Sequence, residues 1–299
     1  MMKKIRFVLH TTDETARDAA AKACAHLQKE GLDARVTGDG EDTAQERETL
    51  FVCDDPADLK KKTGAGCRAI AYRHAANRAA DFSGVAYIFE EIEEIDADSY
   101  IKAYQRLSGE PWEILETKRL RLRESTVEDV DAFYEIYQPP EMTRYMEGLF
   151  GNPEDEKRYM ADYIRNVYAL TGFGVWTVIE KETGDIVGRC GYSVRGGFEN
   201  TEIGFLVGVP WQKKGYATEM IGAVLAYGKE ALLLDRVQAL VKEGNGVSLR
   251  LLYRLGFEAV ETLEVEEDIY GGIYPGEGNG RRVRAHAQKG RYVRMLKTF

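Results

Sequence analysis

Apolar residues recur in two alternating patterns along the N-terminal third of the chain. Short runs of consecutive apolar residues are typical of buried strands, whereas apolar positions spaced three and four apart are typical of one helix face. The predicted strands are Ile5–Leu9, Ala34–Thr37, Leu50–Cys53, Ala69–Tyr72 and Val85–Phe89, and the predicted helices are Asp13–Lys29, a segment through Leu59, and Asp96–Leu107. Strands that alternate with helices favour a small, mostly parallel α/β sheet.

The periodicity breaks at Ser108–Pro111, and the elements that follow have a different order. The predicted strands are 119–123, 175–180, 186–194, 201–207, 236–241 and a terminal pair, and the predicted helices are 127–137, 153–167, 215–230 and 247–255. This order indicates a mixed α/β sheet with helices on both faces. The sequence therefore predicts two domains, residues 1–110 and 112–299, with a mobile loop over the glycine-rich segment 271–280.

Length and composition agree with two folded domains. The chain has 299 residues, of which 44% are hydrophobic and 30% charged, as in globular proteins. No apolar run approaches the roughly 18 residues of a membrane helix, and no secretory signal is evident. The four cysteines are widely spaced and fit neither a disulfide framework nor a zinc site, so we expect a reduced, cytoplasmic setting. The net charge of -9 makes binding to a nucleic-acid backbone unexpected.

The most informative segment joins the predicted strand 201–207 to the predicted helix 215–230. Its residues are Gln212, Lys213, Lys214, Gly215, Tyr216, Ala217 and Thr218. At such a junction successive backbone N–H groups point into one concavity, which suits a diphosphate. Gly215 and Ala217 are small enough for a phosphate to approach the main chain, and the two lysines add positive charge. The alternative is a helix start that needs small residues only for packing.

Three segments in order along residues 115–260 carry a family resemblance. Gln212–Ala217 is similar to a Gln/Arg-x-x-Gly-x-Gly/Ala signature, Trp112–Arg123 to a Leu-x-Thr-x-Arg-Leu-x-Leu-Arg opening, and Asn245–Phe257 to an Asn-x-x-Ser…Leu-Gly-Phe helix. Together they resemble the GCN5-related N-acetyltransferase (GNAT) family, in the subgroup that includes ribosomal-protein N-terminal alanine acetyltransferases. The resemblance implies a mixed α/β sheet with splayed central strands, and acetyl-CoA as the cofactor.

The resemblance also implies how acetyl-CoA binds. Its diphosphate would lie on the loop of residues 212–218. Its pantetheine arm would lie between the two central strands, bonded to main-chain groups near Leu206, Val207 and Val209 and to the side chain of Asn245. Tyr253 would lie beside the cofactor, because it follows Leu252, which occupies the position where many family members have a tyrosine.

Acetyl transfer to an amine needs a neutral nucleophile, a stabilised oxyanion and a proton for the departing thiolate. Glu202, at the start of a central strand, is the candidate base, and Ser248 is the candidate acid because no tyrosine stands at position 252. The family resemblance implies that a backbone N–H near Val207 or Val209 would bind the oxyanion. The alternatives stay open: Glu202 could be an exposed strand carboxylate, and Asn245 and Ser248 could serve only to cap a helix.

The first domain carries a second resemblance. Residues 52–95 are similar to the latter half of haloacid-dehalogenase-type Rossmann-like domains. The first strand lacks the Asp-x-Asp pair that phosphoryl transfer with Mg²⁺ would need. We therefore expect no phosphatase activity and a regulatory or docking role, with Asp54 and Asp55 forming a turn and a helix cap.

The sequence supports two functional hypotheses. The first is an N-acetyltransferase that moves the acetyl group of acetyl-CoA to a primary amine, on a small molecule or a peptide N-terminus, with a homodimer as a possible assembly. The second is a non-catalytic acyl-CoA sensor with the first domain as its output.

For the acceptor, aromatic residues cluster in 133–160, and an acidic run at 258–268 is predicted to pair with a basic run at 281–297.

Overall fold

The fold is that of a computed structural model, which describes residues 2–37, 48–267 and 288–299. The predicted loop at 271–280 and parts of the acidic and basic runs lie outside these residues. The chain divides into two compact units, Met1–Trp112 and Glu113–Phe299. Within the described ranges, every helix is too short or too polar to cross a bilayer.

The N-terminal unit is a parallel sheet with helices on both faces. Its strands are β1 (Lys4–Val8), β2 (Asp33–Thr37), β3 (Thr49–Cys53), β4 (Arg68–Tyr72) and β5 (Ile88–Phe89), and its helices are α1 (Glu14–Lys29), α2 (Pro56–Gly64) and α3 (Ala97–Ser108). The strand order is β2-β1-β3-β4-β5, with parallel neighbours. One core joins the sheet to α1 and α3, and a second joins its other face to α2. β5 is shorter than the predicted Val85–Phe89 because the chain, after a turn at Ser83–Gly84, bends at Ala86 before it pairs.

Asp54 and Asp55 organise the end of β3. Asp54 is buried and accepts the backbone N–H groups of His10 and Thr11, at 2.8 and 3.0 Å, which ties the segment after β1 to β3. Asp55 caps α2 by accepting the N–H of Ala57 at 2.9 Å. Among the described residues, no group of three or more His, Cys, Asp or Glu side chains is arranged to hold a metal ion.

The C-terminal unit is an eight-stranded mixed sheet. Its strands are β6 (Glu113–Glu116), β7 (Leu120–Arg123), β8 (Val175–Glu180), β9 (Ile186–Ser193), β10 (Thr201–Val207), β11 (Arg236–Lys242), β12 (Glu258–Glu267) and β13 (Gln288–Thr298), and its helices are α4 (Val130–Tyr137), α5 (Pro140–Thr143), α6 (Pro153–Tyr163), α7 (Ala169–Thr171), α8 (Tyr216–Glu230) and α9 (Gly246–Arg254). The order is β12-β13-β11-β10-β9-β8-β7-β6. The largest core includes residues of α8 and α9, and smaller clusters include residues of α4, α5 and α6.

The two central strands of this sheet part soon after they meet. β10 and β11 are parallel and pair at Thr201–Val237 and Glu202–Gln238. Beyond these two pairs β10 follows β9, and β11 follows β13, in antiparallel ladders. The gap therefore opens toward the carboxyl ends of both strands, which confirms the mixed sheet with splayed central strands that the resemblance implied.

A buried ion pair holds the start of α4. Arg123 donates from both terminal nitrogens to Asp129, at 2.7 Å each, and the Thr126 N–H and the Thr177 hydroxyl donate to the same carboxylate at 2.9 and 2.8 Å. Burial raises the pKa of Asp129, but the hydrogen bonds from Arg123 and Thr126 outweigh burial and hold this pKa below its ordinary value. Asp129 therefore stabilises the fold in its ionised form.

We predict that Asp129→Asn lowers the free energy of unfolding of this unit by about 3 kcal/mol, because the mostly buried guanidinium loses its charge partner. The folded pKa of Asp129 lies below the unfolded value of about 3.9, so its stabilisation is complete above that value. It is lost as the pH falls through the folded pKa. Urea unfolding of both proteins over a pH series checks this, and equal stability at neutral pH would contradict it.

Candidate functional site

Backbone groups of β10 face the gap between the central strands. In the antiparallel ladder with β9, the Gly208 N–H donates to the Val187 carbonyl at 2.9 Å. Since bonding alternates along such a ladder, Phe205 and Val207 direct their N–H and C=O groups to the opposite side, toward β11. The Val207 carbonyl accepts a hydrogen bond from Nε2 of Gln212 at 2.9 Å. The side chain of Gln212 thereby fastens the following loop to the end of β10.

The loop between β10 and α8 presents unpaired amides. In the described part of the chain, none of the backbone N–H groups of residues 213–218 donates to a protein acceptor. Two left-handed residues shape the turn, Lys213 with φ 61° and Gly215 with φ 85°. Gly215 is the N-cap of α8, so no side chain caps the first turn. The positive end of the α8 dipole and six free donors therefore lie together.

The side chains of this loop divide between the core and the surface. Tyr216 is 6% exposed, packs in the main core and donates its hydroxyl hydrogen bond to Glu180. Lys213, Lys214 and Thr218 are exposed. An anion at this loop would therefore meet backbone amides together with two ammonium groups and a hydroxyl, while the largest side chain points into the core.

Glu202 lies on the face of β10 opposite to α8. Ile203 and Val207 pack in the core that contains α8, whereas Leu206 packs in the cluster with α4 and α5; strand alternation puts Glu202 on the same face as Leu206. Glu202 is 9% exposed and accepts from Nε of Arg195 at 2.7 Å. Burial raises the pKa of Glu202 above its ordinary value, although the Arg195 charge opposes the rise. A raised pKa brings the carboxylate nearer to the range of a general base.

The start of α9 lies at the carboxyl end of β11, as the start of α8 follows β10. Asn245 caps α9, with its side-chain oxygen accepting the Ser248 N–H at 3.2 Å. Leu252 is fully buried in the core, whereas Tyr253 is 52% exposed. The expected helix cap is therefore present, and its oxygen is engaged.

Exposed apolar side chains lie on the two segments that begin at the open end of the gap. Val209, after β10, is 41% exposed, and Val247 and Tyr253 of α9 are 71% and 52% exposed. The predicted residues thus lie on β10, on the loop before α8, and on α8 and α9, which start beyond the open end of the gap; Tyr253 lies in the last turn of α9.

Two charged residues that contact the loop were given no predicted role. Arg119 donates from Nη1 to the Lys214 carbonyl at 2.9 Å and from Nε to Glu219 at 2.7 Å. Arg119 lies inside the segment Trp112–Arg123 and Glu219 lies two residues after the segment Gln212–Ala217, but an ion pair between positions 100 residues apart leaves no local pattern. A paired change of the two residues among related sequences is the signal that could reveal it.

The chain is similar to known acetyltransferases. An acetyltransferase (GNAT) domain model matches residues 119–258. An uncharacterized N-acetyltransferase, p20 of Bacillus licheniformis, is 32% identical over 161 residues, which cover 53% of this chain and 90% of that protein. The [Ribosomal protein uS5]-alanine N-acetyltransferase of Escherichia coli is 36% identical over 88 residues, or 29% of this chain and 44% of that enzyme.

Solved structures agree in fold. RimL, a ribosomal L7/L12 α-N-protein acetyltransferase, superposes with a TM-score of 0.50 at 11% identity, covering 64% of this chain and 97% of that one. At this identity the likeness concerns the fold alone. Together with the splayed strands and the free amides before α8, the sequence relatives establish that this chain belongs to the GNAT family of acetyltransferases and is an acyltransferase.

Proposed function

We propose that residues 112–299 transfer the acetyl group of acetyl-CoA to a primary amine by direct attack within a ternary complex. GNAT enzymes transfer acetyl groups from acetyl-CoA to amines. The observation that carries the proposal for this chain is the set of six free backbone N–H groups at residues 213–218. Such a set at a helix start suits a diphosphate.

The donor would extend from this loop into the gap between β10 and β11. The diphosphate accepts from the amides of residues 213–218, with Lys213, Lys214 and the Thr218 hydroxyl adding charge and one donor. The pantetheine arm follows the free edge of β10 as an added strand would, at Val207 and Val209. The expected main-chain bond at Leu206 is not assigned, because its N–H and C=O groups face β9. Because Gln212 already donates to the Val207 carbonyl, this contact fixes the edge, and the remaining groups are left for the pantetheine.

The α9 side of the gap would complete the donor site. The Asn245 side-chain oxygen caps the helix, so its NH₂ group is the part assigned to a pantetheine carbonyl. Tyr253 is half exposed and supplies an apolar ring beside the arm. Both residues follow β11, across the gap from the strand edge that the arm would follow.

The acetyl step would use Glu202 and Ser248. Glu202 accepts a proton from the substrate ammonium, directly or through one water, and the neutral nitrogen attacks the thioester carbon. The carbonyl oxygen becomes an oxyanion that a backbone N–H near Val207 or Val209 stabilises. When the carbon–sulfur bond breaks, the thiolate takes a proton from the Ser248 hydroxyl, and the proton that the attacking nitrogen releases on forming the amide returns to the Ser248 oxygen. The burial that raises the pKa of Glu202 supports its role as the base.

The acceptor would be a small amine or a peptide N-terminus, which is consistent with the name of the alanine N-acetyltransferase relative. The N-terminal unit would act as a regulatory or docking module. We propose a cytoplasmic setting, supported by four unpaired cysteines, and no nucleic-acid partner, supported by the net charge of -9.

We predict that the purified chain releases CoA thiol from acetyl-CoA only when an acceptor amine is present. A panel of polyamines, aminoglycoside-like amines, amino acids and N-terminal peptides identifies the acceptor class, with thiol release followed by absorbance. Reactions without amine are the control. Tight CoA binding without amine-dependent thiol release across the panel would contradict the proposed transfer to an amine.

We predict that Glu202→Gln lowers kcat by about 100-fold, the usual range for losing a general base, with CoA affinity unchanged. In the wild type, kcat/KM should fall as the pH drops through the raised pKa of Glu202, because only the carboxylate accepts the proton. The midpoint of this fall in kcat/KM should lie above the ordinary glutamate pKa of about 4.3, and the fall should be absent in the variant.

Glu199→Gln is the matched control, since Glu199 is exposed just before β10. It should keep the wild-type rate and pH profile. A Glu202→Gln enzyme with wild-type kcat and an unchanged fall in kcat/KM at low pH would exclude Glu202 as the base.

A further inference from the structure

The turn between β6 and β7 is hydrogen-bonded to the start of α8. Glu219, in the first turn of α8, accepts four contacts from this turn: the Thr117 hydroxyl at 2.6 Å, and the Arg119 N–H, Nε and Nη2 at 2.9, 2.7 and 2.6 Å. The third guanidinium nitrogen, Nη1, donates to the Lys214 carbonyl at 2.9 Å. The Arg119 side chain thus connects the first turn of α8 to the loop that precedes it.

The bond to the Lys214 carbonyl sets the direction of the next amide. The Lys214 C=O and the Gly215 N–H belong to one planar trans peptide, in which they point in opposite directions. Since Arg119 holds the carbonyl, the Gly215 N–H must point away from Arg119. A peptide next to glycine turns over at low cost, because glycine adopts positive and negative φ with similar ease. The loop therefore needs an external contact to select this orientation.

The charge of Arg119 is already balanced. Burial raises the pKa of Glu219, but the hydrogen bonds from Thr117 and Arg119 outweigh burial and hold it below its ordinary value. Glu219 is therefore ionised at neutral pH and neutralises the guanidinium, which also lies over the Tyr216 ring at 4.4 Å. Arg119 is thus suited to fix the loop geometry, and it differs from Lys213 and Lys214, whose exposed charges face solvent.

Resting on the proposed function, we propose that Arg119 and Glu219 are positioning residues for the acyl donor: they hold the Lys214–Gly215 peptide in the orientation that receives the diphosphate. Neither residue touches the reacting atoms. This assignment accounts for two of the motifs together, because the Thr-x-Arg of the first segment and the glutamate after Gly215-Tyr216-Ala217-Thr218 form one set of contacts.

A comparison of two acetyl donors distinguishes a loss of diphosphate positioning from a general loss of protein stability. Acetyl-CoA carries the diphosphate, and S-acetylpantetheine lacks it. Arg119→Met should raise KM for acetyl-CoA about tenfold, the equivalent of one charge-assisted hydrogen bond, with kcat changed less than about twofold. KM for S-acetylpantetheine should stay at the wild-type value. Arg121→Met is the matched control, because the side chain of Arg121 in β7 is 42% exposed and its ion pair in the described residues is a long contact of 3.8 Å with Glu113.

Glu219→Gln is the second variant, since it keeps the shape of the side chain and removes its charge. It should raise KM for acetyl-CoA by less than Arg119→Met and again spare S-acetylpantetheine. Should Arg119→Met fail to fold, Glu219→Gln gives the same comparison. Equal KM changes for both donors, or none for either, would overturn the proposal.

Calorimetric binding keeps this test independent of catalysis. Titration with CoA and with pantetheine should show weaker CoA binding by Arg119→Met and unaltered pantetheine binding. A wild type inactive with every amine would refute the proposed function, while the binding ratio would still decide the role of Arg119. Unchanged CoA affinity in Arg119→Met would overturn that role.

Discussion

Each of the two central strands of the C-terminal unit keeps one antiparallel neighbour and leaves its parallel one. β10 stays with β9 and β11 stays with β13, so their own contact lasts for two residue pairs. A backbone edge that is not paired in the interior must find other partners, because buried N–H and C=O groups are costly when unsatisfied. The gap therefore supplies an unpaired strand edge beside the starts of two helices. The amides of a long thioester can pair with the strand edge, and its diphosphate can bind at a helix start.

Three carboxylate–guanidinium pairs in this unit show how the number of donors decides what a carboxylate does. The pairs are Asp129–Arg123, Glu219–Arg119 and Glu202–Arg195. The first two carboxylates each accept several hydrogen bonds, and their pKa values lie below the ordinary range. Glu202 accepts from Arg195, and burial raises its pKa. The well-satisfied carboxylates hold structure, whereas the less satisfied one is left able to take a proton.

The pattern of hydrophobic and polar residues predicted those parts of the fold that depend on residues close together in the sequence. The strand, loop and glycine before α8 were predictable because the period changes from two to 3.6 at that point and glycine adopts the left-handed conformation at the helix start with little cost. The splay followed from the resemblance and is confirmed by the register. The short β5 and the π-helical turn at Ile164–Tyr168 were not predicted, since each depends on tertiary packing. The sequence could not predict which face of β10 carries Glu202, because alternation along a strand leaves both faces open. It could not predict the contact between Arg119 and Glu219 either, because the two residues are far apart along the chain.

The most direct test of the account is amide NMR of the loop at residues 213–218, with labelled protein titrated first with CoA and separately with pantetheine. If these amides bind a diphosphate, their protons move downfield as CoA saturates the protein, because charged oxygens make strong hydrogen bonds. Pantetheine should shift amides of β10 and leave the loop in place. CoA binding that shifts amides elsewhere, with those of residues 213–218 unmoved, would contradict the account.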